Sequence, residues 1–318
     1  MTKAIVIAWH KYTPFGDRYY QPLFDYFIHN LNLWKGEFDK LYILDSTWNF
    51  TPEDIKSIPS GVWCEVLKVN PSLRYYDAYK EVLPQIVEDI VLFLDNDMII
   101  YKKEIINEIF FLCEDHISNP VVSIYDSIGT FKPKEKDNMH GKNKFCPYLF
   151  ATRKKLLMKY RDCDWGPNMP HYETLGKLTE LMLKDRVSNI EMPEDKSSIY
   201  LDGSYAYSER ERGKDLGYYH IRAGSTPAVL LAWLHAGDIK TYYDYIKNQP
   251  KNEYLRQIAW YWYMCYVTKN ESIMRDLTKI LQDVGVQEPD WYKYFNEFVR
   301  FHNLPFPIVT YAKNKVVN

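Results

Sequence analysis

The chain has 318 residues, enough for one large domain or two modest ones, and its 46% hydrophobic residues argue against disorder. A formal net charge of −2 gives no global attraction to nucleic acid or to an anionic membrane surface. The five cysteines are scattered and lack CxxC spacing, which argues against a zinc site or a disulfide framework, so we expect a reducing, cytoplasmic compartment.

The first part of the chain alternates between apolar runs of strand length and segments with helical spacing. Strands are predicted at 3–9, 40–45, 64–69 and 89–95, and helices at 22–34, 51–59, 72–86 and 103–115. Thr51 as N-cap with Pro52 at the first helical position marks the start of the second helix. Strand–helix alternation with short links indicates an α/β layer structure with a mostly parallel sheet.

The alternation continues less regularly up to about residue 225. Strands are predicted at 121–127, 146–153 and 198–207, and helices at 154–160 and 173–185. The lysine-rich segment 128–145 lies between two of these strands and is poor in apolar residues. A long loop inside a compact domain is often functional, so this segment is either a lid over bound ligand or a plain surface excursion.

From residue 226 the pattern is helical throughout. Helices are predicted at 227–248, 253–269, 272–284 and 290–302. We therefore expect an α/β domain at 1–225 and an all-helical C-terminal extension at 226–318. The Trp- and Tyr-rich stripes of these helices are core or interface, or a surface for an acceptor glycan or for peripheral membrane contact. No apolar run reaches the roughly 18 residues of a membrane span.

The segment VLFLDNDMII, residues 91–100, places Asp95, Asn96 and Asp97 inside an otherwise apolar run. In open α/β sheets ligands bind at the carboxyl ends of the strands, and two carboxylates leaving such an end can converge on one hard cation. Oxygen ligands of this kind suit Mg²⁺ or Mn²⁺ with phosphate oxygens as co-ligands. The alternative is a polar turn that ends the strand. The apolar segments on both sides favour the metal site.

This segment resembles the D-x-D motif of GT-A-fold glycosyltransferases, in which an apolar strand delivers two acidic residues to a nucleotide-sugar diphosphate. The order of the surrounding segments is also similar, over roughly residues 1–225. The resemblance implies a GT-A, Rossmann-like mixed sheet flanked by helices, with Mn²⁺ or Mg²⁺ and a UDP- or GDP-sugar donor. It implies that Asp97 binds the metal directly, while Asp95 contacts the ribose or binds the metal through water.

The same resemblance implies contacts for residues that precede the motif. It suggests that Trp9, His10 and Asp45, at the ends of the first two strands, contact the nucleoside. Arg74 and Asp77, in the helix before the motif, would make further contacts with the donor.

A general base is implied downstream of the motif. The segment HYETLGKLTELMLKD resembles the family's helix that begins at an acidic residue, and this implies that Glu173 is the base of an inverting transferase. A carboxylate there could take the proton from an acceptor hydroxyl as its oxygen attacks the anomeric carbon. Alternatively, Glu173 is simply a helix-start carboxylate favoured by the macrodipole. Asp162 and Asp164 are the competing candidates for the base.

The segment GYYHIRAGSTP resembles the late histidine and following loop that complete the metal shell in several GT-A families. The resemblance implies that His220 binds the metal and that Arg222 and Ser225 meet phosphate oxygens. Taken alone, a histidine beside two tyrosines is more often structural.

The resemblance and these residues together imply a metal-dependent, inverting glycosyltransferase that moves a sugar from a nucleotide-sugar to a hydroxyl of a glycan or other acceptor. Two alternatives stay open. One is a phosphatase of the haloacid dehalogenase type, whose nucleophile also lies in a D-x-D after an apolar strand. The other is a degenerate transferase that binds glycans or acts as a scaffold. Neither a nucleic-acid partner nor a transmembrane span is expected.

Overall fold

A computed structural model describes the following residues: 1–9, 20–48, 50–73, 75–96, 98–114, 119–124, 145, 148–166, 174–192, 218–220, 226–248, 258, 261, 262, 264–283 and 296. The lysine-rich segment 128–145, predicted to be either a lid or a surface excursion, lies outside these ranges except for Phe145. That residue is buried, and its backbone N–H donates to Thr179 Oγ1 at 3.2 Å.

Nine strands form two sheets within the described residues. They are β1 (Lys3–Trp9), β2 (Lys40–Asp45), β3 (Cys64–Lys68), β4 (Ile90–Leu94), β5 (Met98–Ile100), β6 (Val121–Ile124), β7 (Leu149–Arg153), β8 (Asn189–Met192) and β9 (Tyr218–His220). Seven of them form one sheet in the order β3-β2-β1-β4-β7-β6-β8, and β5 pairs with β9. The strands from β3 to β4 in that order are parallel, whereas β7 is antiparallel to both β4 and β6. The predicted α/β class with a mixed sheet is therefore confirmed.

Helices follow most of the strands. They are α1 (Gln21–Trp34), α2 (Pro52–Ser57), α3 (Tyr75–Val82), α4 (Lys103–Cys113), α5 (Lys154–Lys159), α6 (Gly176–Lys184), α7 (Thr226–Ala236), α8 (Ile239–Asn248) and α9 (Glu271–Asp283). The described residues from 226 onward form helices and short links with no strand among them, as the sequence predicts for the C-terminal extension. No helix in the described ranges is long and apolar enough to cross a membrane.

The start of α2 is the one the sequence predicts. The hydroxyl of Thr51 accepts from the backbone N–H of Asp54 at 3.1 Å, and the Asp54 carboxylate accepts from the backbone N–H of Thr51 at 2.7 Å. This is a reciprocal capping box, and Pro52 follows it at the first helical position, where its missing N–H costs nothing.

Two predicted helices end at least four residues before the expected position. The helix expected to run to residue 86 ends at Val82, because Pro84 has no N–H to donate and disfavours the helical conformation of the residue before it. The single helix expected at 227–248 is two, α7 and α8, separated at Gly237. Gly237 has φ +74°, the left-handed conformation that commonly ends a helix and that glycine adopts without steric cost.

The strand that leads into the acidic segment is anchored by an aromatic cluster in the core. The ring centroid of Phe93 on β4 lies 4.8 Å from Phe150 on β7, 4.4 Å from Tyr79 on α3 and 6.3 Å from Trp165. All four side chains are fully buried. Aromatic pairs of this kind contribute about 0.5–1.5 kcal/mol each beyond their buried area, so β4 is held on one face by both β7 and α3.

The chain divides into two compact units. The first contains residues 1–11, 27–194 and 217–220, and the second contains 12–26, 195–216 and 221–318. The first unit holds the seven-stranded sheet. In the second, His235 Nε2 on α7 lies 3.2 Å from Asp276 Oδ2 on α9, and the Trp262 ring stacks on Tyr266 at 5.6 Å. The boundary predicted after residue 225 stays a prediction.

Candidate functional site

Three predicted site residues lie at the carboxyl ends of neighbouring parallel strands. Trp9 and Asp45 end β1 and β2 and are partners in the ladder that joins them. Asp95 directly follows Leu94, the last residue of β4, and Leu94 pairs with Ile7 of β1. Adjacent strands lie about 4.8 Å apart, so the three residues leave one edge of the sheet within a few strand spacings of each other. This is the edge where open α/β sheets bind ligands.

Asp95 opens a tight turn between β4 and β5. Its backbone N–H donates to the Tyr148 carbonyl at 3.0 Å, which extends the β4–β7 ladder by one residue. Its own carbonyl accepts from the N–H of Met98 at 3.2 Å, which closes a four-residue turn. Asp95 and Asn96 are half-buried. These two hydrogen bonds therefore hold the backbone at Asp95 and at Met98, on either side of the acidic segment.

The short β5–β9 ribbon brings the main chain of His220 to this turn. β5 begins at Met98, immediately after Asp97, and Met98 is paired with His220 in the antiparallel ladder. The ladder thus pairs His220, a predicted metal ligand, with Met98, the residue that follows the predicted ligand Asp97 in sequence. Among the side chains that the structure describes, no group of three or more His, Cys, Asp or Glu is placed to hold a metal. The side chains of Asp97 and His220 lie outside that set.

The carboxylate of Asp45 is occupied by its own loop. Asp45 is 1% exposed, and one of its oxygens accepts from the N–H and hydroxyl of Thr47, both at 3.2 Å. The other oxygen accepts from the N–H of Phe50 at 2.9 Å. Asp45 therefore shapes the loop that follows β2, and its predicted contact with a nucleoside stays a prediction. Trp9 is also buried, with its ring edge-on to Phe50 at 6.4 Å.

The remaining predicted residues are only partly described. Asp77 is half-buried in the first turn of α3, a position that the helix macrodipole favours for a carboxylate. Asp162 is exposed, and Asp164 Oδ1 accepts from the N–H of Gly166 at 3.1 Å. The predicted residues that lie outside the described ranges are His10, Arg74, Asp97, Glu173, Arg222 and Ser225.

The helix predicted to begin at Glu173 begins at Gly176 instead. Leu175 precedes it with φ +58°, a left-handed conformation that cannot belong to the helix, and its N–H donates to the Trp165 carbonyl at 2.8 Å. The first backbone turn of α6 therefore lies three residues further along than expected. The prediction that Glu173 occupies a helix N-terminus is wrong for this reason, and its role as a base stays a prediction.

Thiol chemistry is not supported by the described cysteines, all of which are free. Burial raises the pKa of Cys64 and Cys113 to about 12 and that of Cys163 to about 11. Burial also raises the pKa of Cys265. These four thiols stay protonated near neutral pH, so none of them supplies a thiolate nucleophile.

Sequence reasoning missed two features of this edge. One is Trp48, in the loop after β2, whose side chain is 59% exposed. An isolated tryptophan in a polar loop gave no periodic pattern that would single it out. The other is the main-chain contact from Tyr148 to Asp95, which only the antiparallel pairing of β7 with β4 creates.

No protein-family model matches the chain. No curated protein matches it in sequence. Among solved structures it is similar to CMP:2-keto-3-deoxy-manno-octonic acid synthetase in complex with CTP, at 14% identity and a TM-score of 0.39, over 61% of this chain and 90% of that one. Glucosyl-3-phosphoglycerate synthase from Mycobacterium tuberculosis, in complex with Mn²⁺, uridine diphosphate and phosphoglyceric acid, gives 16% identity and a TM-score of 0.41 over 60% and 69% of the two chains. The chain is also similar to a nucleotidyl transferase from Methanothermobacter thermautotroptrophicus, at 14% identity and a TM-score of 0.40, over 61% of this chain and 88% of that one. Similarities at this level assign neither a family nor an activity to this chain.

Proposed function

We propose that the chain is a metal-dependent, inverting glycosyltransferase of the GT-A type that uses a nucleotide-sugar donor and a hydroxyl acceptor such as a glycan. The observation that carries this proposal is the turn between β4 and β5. Asp95 opens it at the carboxyl edge of the sheet, and β9 brings the backbone of His220 beside Met98 at its end. A polar turn that merely ended a strand would need neither the second strand after it nor a histidine in register with it.

The donor set suits a hard divalent cation that carries phosphate. Asp97, with Asp95 directly or through water and His220 as a further ligand, would hold Mn²⁺ or Mg²⁺. The bound ion would offset the negative charge that grows on the nucleoside diphosphate as it leaves. Arg222 and Ser225 would meet the phosphate oxygens, and Arg74 and Asp77 would make further donor contacts.

The other proposed residues position the two reactants. Trp9, His10 and Asp45 would lie along the nucleoside at the ends of β1 and β2. Glu173 would take the proton from the acceptor hydroxyl while that oxygen forms a bond to the anomeric carbon and the bond to the diphosphate breaks. The catalytic domain would be residues 1–225, with the helices from 226 as an extension. The four cysteines within the described residues are free, which fits the reducing, cytoplasmic setting that we propose.

Donor binding tests the metal assignment. Titration calorimetry with UDP- and GDP-sugars, with and without Mn²⁺, should show binding that requires the metal. Asp97→Ala should abolish both that binding and sugar transfer. Glu108 on α4 is an exposed carboxylate away from this edge, and Glu108→Ala is the matched control that should bind as the wild type does. Unchanged donor binding in Asp97→Ala would refute the metal site.

The assignment of Glu173 as general base is tested separately from the metal site. Glu173→Gln should keep donor binding and lose transfer by about two to four orders of magnitude, the usual contribution of general base catalysis. Turnover of Glu173→Gln at the wild-type rate would mean that Asp162 or Asp164 is the general base, or that the mechanism is retaining. Stabilisation by phosphate or beryllofluoride with Mg²⁺, and by no nucleotide-sugar, would identify a phosphatase. Donor or glycan binding without any transfer would identify a degenerate, glycan-binding protein.

A further inference from the structure

The loop after β2 presents a tryptophan ring to solvent in an unfavourable backbone conformation. Trp48 is 59% exposed and has φ +57°. The left-handed region is sterically unfavourable for residues other than glycine, and for a bulky residue it is a genuine outlier. More than half of this side chain also stays outside the apolar core. Such a conformation persists only where its surroundings impose it, and such positions cluster at sites that bind ligands.

The surroundings of Trp48 impose both the backbone and the ring position. The Asp45 carboxylate accepts from the N–H of Thr47 and from the N–H of Phe50, so one buried anion ties the loop on both sides of Trp48. The indole Nε1 donates to the carbonyl of Val69, the residue that follows β3, at 2.8 Å. The polar edge of the ring is therefore anchored while most of the side chain stays in solvent. A ring that is held in this way loses little further freedom when a ligand stacks on it.

A second exposed tryptophan shows that exposure alone does not define such a platform. Trp63 is 71% exposed but precedes β3, at the amino end of the parallel strands. The Lys40 ammonium lies 5.2 Å from its ring centroid, so its partner is a cation of the same sheet end. Trp48 instead stands at the carboxyl edge, the same edge as the Asp95 turn. Trp63 is thus a natural control for it.

We propose that the Trp48 ring stacks on the nucleobase of the donor and that this stacking supplies affinity at the nucleoside end. This inference rests on the proposed function. Strands β2 and β4 are separated only by β1, so their ends lie roughly 10 Å apart. A nucleoside diphosphate has its phosphates at one end and its base at the other. With the phosphates at the Asp95 turn, the base extends along the edge towards the loop of β2.

Stacking has a consequence for donor selection. Every nucleobase presents a π-face, so an aromatic platform tolerates different bases. Trp48 therefore contributes affinity for uridine and guanosine nucleotides alike. Discrimination between the two bases then depends on other side chains or backbone groups. Inorganic pyrophosphate, which has no base, gains nothing from Trp48.

Calorimetric titration of UDP, GDP and inorganic pyrophosphate in the presence of Mn²⁺ tests the proposal with three variants. Trp48→Ala should weaken UDP and GDP binding by roughly 5- to 150-fold, the range that loss of one base–aromatic stack produces. Its binding of pyrophosphate should stay within twofold of the wild-type value, an expectation that follows from the missing stack. Trp48→Phe should lose less nucleotide affinity than Trp48→Ala, and it should also lose the part of the tryptophan fluorescence that UDP quenches in the wild type. Trp63→Ala should match the wild type throughout.

Three results would overturn the proposal. Nucleotide affinity that is unchanged in Trp48→Ala excludes the stack while leaving the proposed function intact. Equal weakening of pyrophosphate and nucleotides means that Trp48 only shapes the edge, and also excludes the stack. A wild-type protein that binds none of the nucleotides refutes the proposed function, and the stacking role with it.

Discussion

The loop after β2 depends on one buried carboxylate, and removing that group tests how the carboxyl edge is built. In Asp45→Ala the buried N–H of Phe50 loses its acceptor, and an unsatisfied buried donor costs about 1–3 kcal/mol. The two groups of Thr47 are half-buried and can turn to water, so together they lose about 1 kcal/mol of net hydrogen bonding. We therefore expect the free energy of unfolding of the ligand-free protein to fall by about 2–4 kcal/mol.

Urea unfolding followed by circular dichroism measures this change at fixed pH. Asp45→Asn is the matched control, because it keeps the shape of the side chain and one of the two acceptor oxygens. It should lose about half as much stability as Asp45→Ala, since each oxygen serves a different residue of the loop. An Asp45→Ala protein within about 0.5 kcal/mol of the wild type, the range of ordinary surface substitutions, would show that the loop does not depend on this carboxylate.

Three smaller perturbations test other parts of the fold by the same measurement. Thr51→Ala should cost about 1 kcal/mol through loss of the capping box, while Thr51→Ser should stay close to the wild type. Gly237→Ala should cost about 1–2 kcal/mol because of its left-handed backbone, and Gly237→Asn should cost less. Hydrogen bonds from the backbone N–H of Thr2, and then from its hydroxyl, lower the pKa of Asp89. The Asp89 carboxylate therefore stabilises the fold above its unfolded pKa of about 3.9, and this stabilisation is lost as the pH falls through the folded pKa. Asp89→Asn should accordingly lower stability slightly near neutral pH, and the difference from the wild type should vanish in strong acid; a difference that persists there would contradict this cause.

The parts of the fold that the sequence predicts well are those determined by local patterns. β1 and β2 begin and end at the predicted residues, because each is an apolar run bounded by polar positions. The cap of α2 is encoded within four residues, from Thr51 to Asp54. In both cases everything that decides the structure lies within a few positions of the element itself.

The features that the sequence does not predict depend on distant partners or on one backbone conformation. β5, β8 and β9 are only three or four residues long, and each exists because another strand pairs with it. The break between α7 and α8 comes from a single glycine inside a pattern that is otherwise helical. The start of α6 is displaced by Leu175, whose N–H is taken by a carbonyl of the preceding loop. Side-chain periodicity carries no information about contacts of this kind.

The candidate site has two ends, the acidic turn after β4 and the loop after β2. The first depends on distant partners, whereas the second depends mainly on its own residues. The acidic turn at the end of β4 is fixed by long-range pairing with β7 and, through β5, with β9. The loop after β2 is fixed by its own aspartate and by a carbonyl beyond β3. Because the supports are different, a change at one end should leave the other intact. Loss of Asp97 should weaken pyrophosphate and nucleotides together, whereas loss of the Trp48 ring should weaken only ligands that carry a base. Under the proposed function, a donor that depends on both ends must span them, with its diphosphate at the acidic turn and its base at the loop after β2.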